Sequence, residues 1–100
     1  MAASTSIMVA VGAIGAGNEW VHGHADAAVK IGIASLASAV VLAGIEAIPG
    51  AAPFAIGLAV IALIGVTVGG ITPGVPSPAA QLLEILGGGP VLTKASKPIN

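Results

Sequence analysis

VKIGIASLASAVVLAGIEAI at residues 29–48 and PFAIGLAVIALIGVTVGGI at residues 53–71 decide the fold, with Pro49-Gly50-Ala51-Ala52 between them. The first run is interrupted only by Lys30 near its start and Glu46 near its end, and the second carries no charge at all. As helices they extend about 30 Å and 28 Å, the thickness of one bilayer core. Pro49 withholds a helical donor, Gly50 permits a left-handed turn, and Pro53 suits the first turn of the next helix. So short a connection reverses the chain. The expected fold is therefore all-α, an antiparallel hairpin of two apolar, transmembrane-type helices.

Flanking segments extend this frame within one domain over 1–100. Residues 1–17 read as a short apolar helix ending at Gly15 and Gly17, capped from the Ser4 to Ser6 region. Its core at 7–16 has the length of a signal-peptide apolar region, but no Lys or Arg precedes it, so it is expected to remain in the mature chain. Asn18 starts the next unit, and the first long helix is assigned to 18–48, entered directly or after Gly23. Beyond the second long helix at 53–71, Thr72-Pro73-Gly74-Val75-Pro76 stops the chain from continuing helical. Ser77 and Pro78 then look like an N-cap and first residue of a short helix at 78–86, too short to span, which should lie at the interface or against the hairpin. Residues 87–100 read as a tail.

Composition points the same way. Hydrophobic residues make up 56% of the chain, charged residues 7%, and mean hydropathy is +1.07; an ordinary soluble domain carries roughly 25% charged residues. Net charge is −1, with no Arg and only Lys30, Lys94 and Lys97. That is too little positive charge to grip a nucleic acid, so no direct nucleic-acid binding is expected. The chain has no cysteine, which removes disulfides and thiol chemistry. Lysine placement, by the positive-inside bias, puts both ends of the hairpin in the cytoplasm.

Small residues recur along both spans. Ser35, Ala39, Ala43 and Ala47 are four apart on the first helix; Ala55, Ala62 and Gly69 are seven apart on the second, with Ala59 and the Gly65 to Gly69 pair beside them. Such stripes let helix backbones approach closely, either within the hairpin or between copies. Leu36, Val40, Leu42, Leu58, Ile61 and Leu63 are then left for lipid or for other subunits.

Polar chemistry is sparse. Glu19 and His22 have Glu-x-x-His spacing, with His24 and Asp26 nearby, but a di-metal carboxylate site needs that motif twice. A solvated polar stretch is the expected reading, with pH sensing by the histidines the most it offers. Glu46, two residues before Ile48-Pro49, is expected at an interface, with a lumen-lining role as the alternative. Trp20 and Phe54, the only aromatics, suit either a headgroup boundary or ordinary packing. The glycine clusters lack the Lys-Ser/Thr of a phosphate loop, and no hydroxyl has a His and carboxylate at triad-like spacing. No active site, metal or cofactor is expected.

The run at 29–71, two long apolar helices around a tight loop, resembles the pilins of conjugation-type (type IV secretion) systems. That resemblance implies a structural subunit stored in the membrane, partnered by copies of itself and by lipid, and polymerised into an extracellular filament by helix packing. The best-known bacterial members carry basic residues in the loop, whereas the segment 46–53 has none. The hairpin is also similar to two-span phage holins, which would imply a membrane-perforating oligomer; an accessory subunit of a membrane complex or virion is the third class.

Overall fold

The computed structural model describes residues 2–71 and 77–87, and these form four helices. They are α1 (Ala3–Val21), α2 (Ala25–Glu46), α3 (Ala52–Gly69) and α4 (Pro78–Gly87). The fold is all-α, with the two long apolar helices in contact as a hairpin. The expected breaker at 72–76 and the segment 88–100 of the expected tail lie outside the described residues.

Local sequence explains each boundary. Between α2 and α3, Gly50 adopts φ +84° and the Ala51 amide donates to the Ile48 carbonyl at 3.0 Å, closing the turn. Pro53 stands in the first turn of α3, where a missing N–H costs nothing. The Ser77 hydroxyl accepts from the Ala80 amide at 3.2 Å, so Ser77 caps α4.

The break before α2 differs from expectation. Helix α1 runs through Gly15, Gly17 and Asn18 and ends at Val21, so residues 18–21 belong to α1 and the first long helix begins at Ala25. The stop is set at Gly23, whose φ of +84° suits glycine. There the Gly23 amide donates to Trp20 O at 3.0 Å and the His24 amide to Glu19 O at 2.8 Å, the paired bonds of a Schellman motif.

The centre of the fold also differs from a hairpin with an appended N-terminal helix. Helix α1 packs along α2 more extensively than any other pair, and touches α3 more than α2 does. Its glycines permit this. A Cβ at Gly12 would stand 2.8 Å from Ser35 Cβ, and one at Gly15 would stand 3.1 Å from Ile31 Cγ2 and 3.2 Å from Val66 Cγ2. These contacts run α1 antiparallel to α2 and parallel to α3. The shared core joins Met8 and Val11 of α1 to Ile31 and Leu42 of α2 and to Ala59 and Val66 of α3. Helix α4 lies against both hairpin helices and buries Ala79, Ala80 and Leu83, with Ile85 exposed.

Candidate functional site

The bundle's most extensive feature is its outer surface. Ile33, Leu36, Val40 and Val41 of α2 are exposed, as are Val60, Ile61, Ile64 and Val68 of α3. Both helices are long and apolar enough to cross a membrane, and only a minor share of each is buried inside the bundle. Of the six large residues expected to face outward, Leu36, Val40 and Ile61 do so. Leu42 does not: it is fully buried in the core, and Leu58 and Leu63 pack partly against it.

The small-residue positions fall mostly inside the chain. Ser35, Ala39, Ala55, Ala59 and Ala62 are buried, Ala43 is half-buried, and Ala47 and Gly69 are exposed. Gly65 meets α4, where an added Cβ would stand 3.1 Å from Ala79 Cβ. An open apolar groove of about 260 Å³ between α1 and α2 is lined by Val9, Gly12, Ala13, Gly32, Ser35 and Leu36.

On α1 to α3, carboxylates and imidazoles gather at the two ends. At one, Glu46 accepts from the Ser4 amide at 2.9 Å and from the Ala3 amide at 3.3 Å. A carboxylate at the end of its own helix opposes the dipole of α2, but here it satisfies two unpaired donors of α1 and sits at that helix's positive end. Glu46→Gln should therefore quicken hydrogen exchange at the Ala3 and Ser4 amides while leaving the Ala51 amide of the neighbouring turn unchanged. Equal exchange in both proteins would count against the cap.

At the other end, His24 Nδ1 lies 2.8 Å from Glu19 Oε1, a carboxylate that is nearly buried. The His22 ring donates through Nδ1 to the Asn18 carbonyl at 2.7 Å. These bonds hold the turn together, and among the described residues no three His, Cys, Asp or Glu side chains gather closely enough for a metal ion. Beside them, Asn18, Ile14 and the last turn of α3 from Val66 to Gly70 line a recess of about 290 Å³. Sequence reasoning placed Glu46 near an interface and grouped Glu19 with the histidines. It missed that Glu46 reaches an element more than forty residues away, for which no local pattern exists.

Compared with family models, curated proteins and solved structures, the chain matches none of them.

Proposed function

We propose that this protein is a membrane-embedded structural subunit, pilin-like in organisation, that assembles with copies of itself and holds lipid against its outer faces. The observation carrying the proposal is the contrast between flanks. Helices α2 and α3 present aliphatic side chains along their outer faces, suited to lipid or to another apolar helix. Helix α4 instead carries Gln81, which is exposed. Its Leu83 carbonyl lies 3.5 Å from the Ser38 hydroxyl, near the middle of α2. The exposed Gln81 amide, close to that depth, needs shelter from hydrocarbon, and a neighbouring subunit supplies it.

A water-lined space would shelter it equally, which makes a holin-like pore the second reading. Negative-stain electron microscopy of protein purified in mild detergent distinguishes the two: regular filaments are the expected result, and discrete rings would transfer the proposal to a pore. In either assembly, a disulfide or short bis-maleimide should link Gln81→Cys subunits to one another but leave Ile61→Cys subunits monomeric. Particles of single-chain mass with no cross-linking at Gln81→Cys would end the self-association proposal.

A further inference from the structure

We propose that α1 is a third membrane crossing, placing Ala2 and the turn at 47–51 on one side of the bilayer and the turn at 22–24 on the other. This rests on the membrane reading above and changes its topology, since a two-span hairpin would leave both its ends on the same side.

Three observations carry it. The first is registration: Glu46 is bonded to the start of α1, and a Cβ at Gly15 would stand 3.1 Å from Ile31 Cγ2 and 3.2 Å from Val66 Cγ2. A Cβ at Gly70 would come within 3.8 Å of Asn18 Nδ2. Helix α1 thus lies alongside both spans from one end to the other, and its 19 residues extend about 28 Å.

The second is the distribution of charge on these three helices. Glu46 is at one end, and Glu19 and Asp26 are at the other. Lys30 lies just over a turn inside α2, close enough for its stem to carry the ammonium back to the Asp26 end. Between the ends, α1 exposes Val9, Ala13, Ile14 and Gly17. Ser4, Thr5 and Ser6 at one end and Asn18 and Glu19 at the other make it less apolar than α2 or α3, so it enters hydrocarbon in their company, against α2 along most of its length.

The third is the pair of aromatics. Trp20 is 64% exposed and Phe54 is 63% exposed, at opposite ends of the bundle. Counting along α3 from Phe54 to Gly70, which adjoins Asn18, and then on to Trp20 separates them by about 27 Å along the axis. A bilayer core is about 30 Å thick, so the two rings bracket nearly its full depth, with the amphipathic Trp20 indole suited to the headgroup boundary and the apolar Phe54 ring to the hydrocarbon just inside the other. The occupant of the apolar belt between them is therefore lipid.

The cysteine-free chain makes the test direct. Single cysteines are introduced as Ala2→Cys, Ala47→Cys, His22→Cys and Ile61→Cys in the full chain, expressed in sealed membrane vesicles of one orientation and treated with an impermeant maleimide. Ala2→Cys and Ala47→Cys should share the same accessibility. His22→Cys should show the opposite one, exchanging reactivity with them when the vesicles are inverted, and Ile61→Cys should stay unlabelled until detergent is added. If Ala2→Cys and His22→Cys react from the same face while Ile61→Cys remains protected, α1 does not cross, although the protein is still membrane-embedded. Reaction of Ile61→Cys in sealed vesicles as fast as that of the turn residues would overturn the membrane reading and the third crossing together.

Discussion

Replacing Gly12 by valine is expected to undock α1 from α2 and destabilise the bundle by about 3 kcal/mol, the upper part of the usual range for overpacking. The new Cβ would fall 2.8 Å from Ser35 Cβ and 3.0 Å from its Oγ. The hydroxyl can rotate away, but the Cβ is fixed to the α2 backbone, so relief requires the helices to separate. Gly44→Ala should do the reverse. Nothing lies within 4 Å of a Cβ at that position, and removing a helix-interior glycine gains up to about 1 kcal/mol. Helix content followed through thermal melts in one detergent reads both signs; equal melting of Gly12→Val and the parent protein would mean that α1 is not seated on α2 at Gly12.

Those two glycines also show what was legible in the sequence. The long spans and their turn were, because Pro49, Gly50 and Pro53 act through local backbone constraints and because charge is absent from 31–45 and from 53–71. The extent of α1 was not. Gly15 and Gly17 read locally as stops, but Gly15 is a contact point among three helices while a Cβ at Gly17 would meet nothing within 4 Å. Only the partner surfaces, distant in sequence, separate such positions from Gly23, where the chain does turn.

The stripe on α2 winds off the buried face for a geometric reason. A strict four-residue repeat drifts about 40° per step on a helix of 3.6 residues per turn, so Ala47 lies about 120° around from Ser35. Alternating steps of four and three stay on one face. That row holds Ser35, Ala39 and Leu42, all buried, and ends at Glu46, which reaches α1. On α3 the same alternation gives Ala55, Ala59, Ala62 and Val66, also buried. Leu42 was therefore legible as core had the row been followed in 4-3-4 steps.

That row leads to the second large effect. Leu42→Ala should destabilise the bundle by about 2 to 3 kcal/mol, near the lower end of the range measured for leucine truncation in water-soluble cores. The reason lies in the reference state. In a bilayer, separated helices remain in hydrocarbon, so no transfer from water is lost and the cost is the lost packing around the cavity. Leu36→Ala removes the same atoms one helix face away, where the side chain is 61% exposed and not 0% as at Leu42. Its effect should be close to zero in detergent with the protein dilute enough to separate the subunits. Comparing melts at low and high protein-to-detergent ratio then separates lipid-facing from subunit-facing positions: a Leu36→Ala penalty appearing only at the high ratio would place that face in the assembly. A full penalty in the dilute state would contradict the exposed position of Leu36 altogether.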